Sequence, residues 1–259
     1  MRKKQEASKG SFRDILWCFM GINAVNATFY NHFHKDKPTG IGKRLVRCVS
    51  EKTFDFAKIE KQNSVLEIGP GRGFFTDICL NKGIDYTAIE ANEEMAEDLI
   101  KRGVTVVKHL VPPFPEMDRT FDVVVMINVL EHMDSMSKAL ELSEGVIKIL
   151  NPGGKFVISV PDYLNCKSNF FISDFSHNYI TTWRRVEGLL ISAGFGEIRG
   201  RFQSSIFTGL LCYLISATAS LLPFSWLDVN FPNNRLFHKL YKFQLTFLRK
   251  VIIVGKKPK

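Results

Sequence analysis

The sequence predicts an α/β protein built on a doubly wound, mostly parallel sheet of seven strands. Short β-branched runs alternate with amphipathic helical segments along most of the chain, which is typical of parallel strands joined by helices. Three alternating glycines follow the run at residues 64–68 and open a helix. The run at residues 121–127 is almost wholly apolar, as expected for a strand that is covered on both faces.

The chain is long enough for one large domain with additions. It has 259 residues, and 45% of them are hydrophobic, which supplies a full core and excludes a disordered chain. We expect an N-terminal tail and helical cap over residues 1–50 and the α/β domain over residues 51–259. Within that domain, residues 203–250 form a hydrophobic helical insertion before the last strand. Two helical stretches are expected between residues 11 and 50, on either side of a turn at 35–40.

The net charge of +9 is concentrated at the two ends of the chain. Basic ends beside apolar stretches favour an anionic membrane surface over a nucleic-acid groove, and ordinary solubilising tails are the alternative. The five cysteines include no C-x-x-C pair, and no group of histidines and cysteines has the spacing of zinc ligands. The sequence therefore predicts a reducing, cytoplasmic location and no metal site, and it leaves the oligomeric state open.

The first predicted strand leads into the most informative turn. It ends in the pattern Glu67-x-Gly69-x-Gly71-x-Gly73, and a helix follows at once. Glycine tolerates positive φ and lets a ligand approach the backbone closely, so the turn suits a nucleotide-like ligand; a tight turn without a ligand is the alternative. The dinucleotide fingerprint G-x-G-x-x-G/A is excluded, because its third small position is occupied by phenylalanine.

The second predicted strand, residues 86–90, also ends in an acid. The helix before it is expected to end at Lys82 and Gly83, a glycine C-cap signal. Glu90 lies about twenty residues beyond the glycine turn, where nucleotide-binding α/β folds place a carboxylate that binds ribose. A carboxylate accepts two hydrogen bonds and so suits a vicinal diol, whereas a solvated strand end is the alternative reading. Asn92 is expected to cap the next helix.

The later elements follow the same plan. After strand four, a helix is expected to stop at the turn Asn151-Pro152-Gly153-Gly154, which needs positive φ. The further strands are expected at residues 104–107, 121–127, 155–160, 197–202 and 251–254.

Three ordered motifs resemble those of one enzyme family. Besides the E-x-G-x-G-x-G turn, F-D-V-V followed by x-x-L-E-H occurs at strand four, and L-x-P-G-G-x-F-x-I-S leads into strand five. Together they resemble the class I S-adenosylmethionine-dependent methyltransferases, especially the branches that modify glycans, quinones and small molecules. The resemblance covers about residues 60–200 and 248–256. It implies a Rossmann-like fold and S-adenosylmethionine as the cofactor.

The resemblance also implies roles for particular residues. Glu67 is expected to serve the amino-acid end of the cofactor, directly or through water, and Glu90 is expected to hold the ribose. The other expected cofactor contacts are Gly69, Gly71, Gly73, Ala91, Asn128 and Leu130. Many relatives place an acid after strand three, near the adenine amino group. None follows here, so the backbone or His109 is expected to make that contact.

A long loop at residues 161–180 is expected at the mouth of the same crevice. In relatives this loop faces the substrate, so we expect Asp174 and Tyr179 to contact the acceptor. His177, and after it His132, are the candidate bases for a hydroxyl acceptor, because imidazole titrates in the useful range. A purely structural histidine is the alternative for His177.

The insertion at residues 203–250 is the main departure from the family pattern. Residues 209–222 are almost wholly apolar and approach the ~20 residues of a membrane span. A single span is topologically awkward, because strands six and seven must pair on one side. A helical hairpin, a re-entrant loop or an interfacial helix remains open, with peripheral contact at the cytoplasmic face of a membrane; an apolar lid or a dimer interface is the alternative.

Three hypotheses follow for function. The first is an enzyme that O-methylates a glycan, a quinone or a lipid-linked small molecule at a membrane surface. The second is a soluble small-molecule methyltransferase whose insertion only closes the pocket. The third is a non-catalytic module that binds the cofactor. Nucleic-acid partners are disfavoured, because strand four ends in Asn128-Val129-Leu130 and lacks the N/D-P-P-Y/F motif of enzymes that methylate base amino groups.

Overall fold

The computed structural model describes residues 40–259. The first helical stretch expected within residues 11–50, and most of the expected tail and cap, lie outside the described residues. The second stretch is a helix, α1, over Gly40–Ala57, which runs across residue 50.

The described chain forms a seven-stranded sheet in the order β3-β2-β1-β4-β5-β7-β6. All neighbouring strands are parallel except β7, which is antiparallel to both β5 and β6. The predicted fold class is confirmed. The strands are β1 Ser64–Ile68, β2 Asp85–Glu90, β3 Thr105–Lys108, β4 Phe121–Ile127, β5 Leu150–Pro161, β6 Gly196–Gln203 and β7 Lys250–Lys256.

Helices cover both faces of this sheet. The remaining helices are α2 Phe74–Asn81, α3 Glu93–Lys101, α4 Met136–Ile149, α5 Tyr163–Cys166, α6 Asn169–Ser173, α7 Trp183–Ser192, α8 Gly209–Ala219, α9 Phe224–Asn230 and α10 Arg235–Phe247, with a 3₁₀ turn at Leu130–His132.

Alternation along each strand sends side chains to two separate cores. On β4, Val123 and Val125 pack with α1, α2 and α3, whereas Val124 and Met126 pack with α4 and α7. Both faces of β4 are therefore buried, which explains its nearly continuous apolar run as predicted.

Helix ends follow the predicted signals. Asn92 precedes α3, and its side chain accepts a hydrogen bond from the backbone N–H of Met95 at 3.0 Å. After α2, Lys82 is the capping residue, and Gly83 adopts a φ of +65°.

Two predicted boundaries are wrong. The stretch 161–180 is not an extended loop, because it contains the short helices α5 and α6. Strand β5 begins at Leu150 rather than at Lys155, and the Pro-Gly-Gly turn produces a shift in its pairing with β4. Both errors concern segments of only four or five residues, which are too short for hydrophobic periodicity to identify.

The insertion between β6 and β7 consists of the three helices α8, α9 and α10. Among residues 40–259, no single helix is long and apolar enough to cross a membrane. The pair α8 and α9, bent by 41° relative to each other, passes that test together by length and composition.

One edge of the sheet collects the carboxyl ends of the parallel strands. Because β7 is antiparallel, its first residue also lies there, and Lys250 pairs with Pro161 at the end of β5. The last residue of β6, Gln203, pairs with Lys250 as well. The insertion therefore leaves and re-enters the sheet at the edge where open α/β sheets bind ligands.

Candidate active site

The glycine turn after β1 is held open by backbone geometry. Gly69, Gly71 and Gly73 have φ values of +66°, +54° and +75°. A Cβ on Gly69 would lie 2.6 Å from Cγ2 of Val129, so glycine is also required for close approach to the loop after β4. A Cβ on Gly71 would meet nothing within 4 Å. The turn thus presents backbone at Gly71 to open space.

Glu90 reaches from the end of β2 to this turn. One carboxylate oxygen accepts the backbone N–H of Gly71 at 3.1 Å, and the other accepts that of Asn92 at 2.8 Å. Glu90 is buried, and burial raises the pKa of its carboxyl, with the backbone N–H groups acting against the rise. A carboxylate has lone pairs beyond these two bonds, so it is able to accept further hydrogen bonds from a diol.

Glu67 lies beneath the turn rather than at its surface. Its side chain is 2% exposed and accepts hydrogen bonds from the hydroxyls of Tyr86, at 2.5 Å, and Thr76, at 3.4 Å. Burial raises the pKa of the carboxyl to about 7. Glu67 therefore ties β1 to β2 and α2, and its predicted contact with the cofactor stays a prediction.

The end of β4 forms the adjacent wall of the crevice. Asn128 is exposed with a φ of +55°, and its side-chain oxygen accepts a hydrogen bond from Lys250 Nζ at 2.7 Å. Leu130 is fully buried in the core shared with α4 and α7, and Ala91 is exposed beside Glu90. His109 follows β3, and its Nε2 lies 3.0 Å from the carbonyl oxygen of Pro113.

The two predicted catalytic histidines are neighbours. The ring centroids of His132 and His177 are 4.9 Å apart. His177 Nδ1 lies 2.6 Å from the carbonyl oxygen of Phe170, which is only an acceptor, so this nitrogen carries the hydrogen. In the neutral ring, Nε2 then bears the lone pair. Burial lowers the pKa of His177 below its usual value, which keeps the ring neutral near pH 7.

His132 is held from the other side of the pair. Its Nδ1 lies 2.9 Å from the hydroxyl of Ser176, and that hydroxyl donates to the carboxylate of Asp174 at 2.6 Å. Burial and the neighbouring His177 lower the pKa of His132. The predicted acceptor-binding residue Asp174 thus orders the segment that carries His177.

Tyr179, the second predicted acceptor contact, is buried in the main core. Its ring packs under the guanidinium of Arg185, whose Cζ lies 4.6 Å from the ring centroid. Its backbone N–H donates to the carbonyl oxygen of Glu131 at 3.0 Å. Burial of the ring favours a packing role, and contact with an acceptor stays a prediction.

The sequence places Glu131, with His132, in the wall next to the methyl group, but it does not reveal the environment of the Glu131 carboxylate. Its side chain is buried, its Oε2 has no hydrogen-bond partner among residues 40–259, and burial raises its pKa to about 7. One ligand atom from each of Glu131, His132 and His177 lies within 4.8 Å of the others, a spacing that suits a cation. The expectation of no metal site rested on sequence spacing alone, and only the fold brings His177 to this pair.

Two basic residues were missed by the sequence reasoning. Arg102, at the end of α3, donates to the carbonyl oxygens of Arg72 and Gly73, both at 3.2 Å, and to Asp77 at 2.9 Å. It supports the glycine turn from outside. Lys250 lies at the start of β7, near enough to Glu131 for its charge to lower the pKa of that carboxyl. No local pattern in the sequence identifies either residue.

Comparison with known families yields one match. Residues 41–194, more than half of the chain, match the family model described as a methyltransferase domain. No protein of curated function matches the sequence.

Several solved structures share the fold. A SAM-dependent methyltransferase from Archaeoglobus fulgidus is 21% identical, with a TM-score of 0.55, over 81% of this chain and 93% of that one. A possible histamine N-methyltransferase from Thermotoga maritima is 20% identical, with a TM-score of 0.54, over 83% of this chain and 89% of that one.

A further structural relative was determined with ligands. Phosphoethanolamine N-methyltransferase 2 from Haemonchus contortus, in complex with phosphomonomethylethanolamine and S-adenosylhomocysteine, is 15% identical, with a TM-score of 0.59. The match covers 82% of this chain and 52% of that one. At these identities the likeness establishes the fold.

Proposed function

The chain belongs to the methyltransferase-domain family and is an S-adenosylmethionine-dependent enzyme, and on that premise we propose that it methylates a hydroxyl group of a small-molecule acceptor, with His177 as the base. The family match confirms the predicted enzyme class and cofactor. The acceptor, the atom methylated and the roles of individual residues belong to the proposal.

The residues at the crevice fit this cofactor. Gly71 leaves open space at the turn, and the Glu90 carboxylate lies beside it with acceptor capacity for the ribose hydroxyls. Ala91, Asn128 and Leu130 lie next to Gly71 and Glu90 along the same edge of the sheet. In the proposal they contact the bound cofactor. When bound, S-adenosylmethionine supplies an electrophilic methyl group on a sulfonium, which in-line displacement transfers.

The proposal of O-methylation rests on a single observation, the fixed tautomer of His177. The Phe170 carbonyl holds the hydrogen on Nδ1, and the lowered pKa keeps the ring neutral, so Nε2 is ready to take a proton near pH 7. Nε2 would accept the proton of an acceptor hydroxyl bound at the crevice. The cofactor would supply the methyl group and leave as S-adenosylhomocysteine, so the carbon–sulfur bond breaks as the oxygen–carbon bond forms. An amine acceptor that is already neutral needs no such base.

For the acceptor we propose a glycan, a quinone or a lipid-linked small molecule. The support is the apolar character of the segments at the crevice edge, where Phe171 and Ile172 of α6 and Phe175, between α6 and His177, are exposed. A soluble polar acceptor would gain little from such surroundings. Two outcomes would contradict this choice of acceptor. The protein could prove to methylate a soluble small molecule, or to bind the cofactor without turnover.

The experiment is a screen of lipid and saccharide extracts with radiolabelled S-adenosylmethionine. We expect label in an extractable product, and a loss of about 10²- to 10⁴-fold in kcat for His177→Gln with unchanged cofactor affinity. His238→Gln, on an exposed histidine of α10, is the matched control and should keep the rate. The acidic limb of the wild-type rate profile should lie below pH 6.5, because the pKa of His177 is lowered from that value.

Three results would contradict parts of the proposal. Full activity of the His177→Gln variant would show that His177 is not the base. A labelled amine product would replace O-methylation with N-methylation. Tight cofactor binding in calorimetry with no product from any extract would favour the non-catalytic module.

A further inference from the structure

The apolar insertion begins and ends at the mouth of the crevice. Its first helix is anchored by Asn165 of α5, whose side-chain amide donates to the carbonyl oxygen of Ser216 at 2.8 Å. A small apolar cluster of Cys166, Phe170, Ala219 and Leu248 joins the same elements. Since Phe170 also holds His177, the insertion is packed directly on the segment that carries the proposed base.

Helix α8 is packed with its small residues inward and its large apolar residues outward. The buried positions are Cys212, Ser216 and Ala219, which recur at helical spacing on one face. Leu210 and Leu214 are 74% and 57% exposed. Burying a leucine side chain is worth roughly 1.5–3 kcal/mol, so a helix surrounded only by water would be expected to face the other way.

Helix α10 repeats this inversion in part, since its buried residues are Tyr241 and Gln244, and it adds positive charge. Gln244 is buried and donates to the carbonyl oxygens of Ala219 and Leu222, whereas Leu236 and Phe243 are each 60% exposed. The exposed basic residues of this helix are Arg235, Lys239 and Lys242, none of which pairs with an acid among residues 40–259. The one acid of the insertion, Asp228, instead faces His238 at 3.2 Å.

We propose that the outward face of α8, α9 and α10 docks on the surface of an anionic lipid bilayer. We call this the docking face and define it by Leu210, Leu214, Leu221, Trp226, Leu236 and Phe243, which are all exposed, with the three basic residues of α10. Exposed apolar side chains beside unpaired basic ones match the boundary between acyl chains and anionic headgroups.

The geometry fits a surface-bound protein. Helix α8 has 11 residues and is about 16 Å long, roughly half of a hydrocarbon core. Both ends of the insertion return to adjacent positions on β6 and β7, so the rest of the domain stays on one side. Docking would hold the crevice mouth, and with it His177, close to the bilayer. Docking on a bilayer adds a location to the proposed function. It depends on that proposal only for the lipid-linked acceptor.

The test uses the full chain and no acceptor or cofactor, so it is independent of turnover. We expect co-flotation with phosphatidylglycerol vesicles, weaker recovery with phosphatidylcholine vesicles, and partial release at high salt. Leu210→Ser combined with Leu214→Ser should lower vesicle partitioning by at least about tenfold. The matched control, Ile100→Ser with Ile191→Ser, removes two exposed apolar side chains elsewhere and should bind as the wild type does.

Far-UV circular dichroism and thermal unfolding show whether each variant is folded. The proposal is overturned if the wild type stays in the aqueous fraction with phosphatidylglycerol vesicles, or if the control variant loses binding equally. It is also overturned if sedimentation without lipid shows a dimer that the Leu210 and Leu214 substitutions dissociate, because the face would then cover a second copy. If vesicle binding holds while no lipid-linked product forms, the docking face stands and the proposed acceptor fails.

Discussion

Replacing Glu90 with glutamine tests the predicted cofactor cradle most directly. The substitution keeps the size of the side chain and removes one acceptor oxygen and the charge. In the structure the two oxygens accept the N–H groups of Gly71 and Asn92. A glutamine can satisfy only one of them, and its NH₂ group would face the other donor.

The expected loss is larger in cofactor affinity than in stability. A hydrogen bond to a charged group contributes about 1.5–3 kcal/mol, so losing the ribose contact should raise Kd by about 10- to 150-fold. The fold loses one backbone hydrogen bond of about 1 kcal/mol, but it no longer buries a charge, and the two effects oppose each other. We therefore expect a change in unfolding free energy within about 1 kcal/mol.

Calorimetry with S-adenosylmethionine measures the first effect, and thermal unfolding without ligand measures the second. Glu93→Gln is the control, because it makes the same chemical change at an exposed position three residues further along the chain, at the start of α3. Wild-type affinity should fall on acidification as Glu90 gains its proton at a raised pKa, and the glutamine variant should show no such dependence. An unchanged Kd in Glu90→Gln would remove this carboxylate from the cofactor site.

Three further predictions concern the turn, the buried acid and the histidine cluster. Gly71→Ala should abolish detectable cofactor binding in calorimetry. Its control, Gly103→Ala, also lies at positive φ beside open space and should only lower stability by about 1 kcal/mol. Equal cofactor binding by both variants would contradict a cofactor site at the glycine turn. Glu67 keeps its proton in the folded state between pH 4.5 and about 7, whereas the unfolded chain releases it, so the stability of the wild type falls as pH rises through that window. In urea unfolding, Glu67→Gln should therefore be up to about 3 kcal/mol more stable than the wild type at pH 8 and equally stable at pH 4.5. Equal stability at both pH values would refute the raised pKa of Glu67. Dialysis against a chelator should leave the methyl-transfer rate unchanged, because a neutral imidazole suffices as base; a loss restored by a divalent cation would assign Glu131, His132 and His177 to that cation.

The local sequence determined the turn, the caps and the sheet. Positive φ at Gly69, Gly71 and Gly73 and the side-chain cap at Asn92 depend on the conformational preferences of single residues. The doubly buried strand β4 follows from an unbroken apolar run, and the position of Glu90 follows from spacing along two adjacent strands. Such signals act over a few residues, so they can be read without the rest of the chain.

Only the tertiary structure decided which groups meet at the crevice edge and which faces turn outward. His177 joins His132 because Asn178 and Tyr179 bond to the backbone of Glu131, and Lys250 arrives there because β7 is antiparallel. Helix α8 is almost wholly apolar, so the hydrophobic pattern of its sequence does not identify the buried face. Contacts at Ser216 and Ala219, made by Asn165 and Gln244, fix that face, and the leucines are left exposed as a consequence.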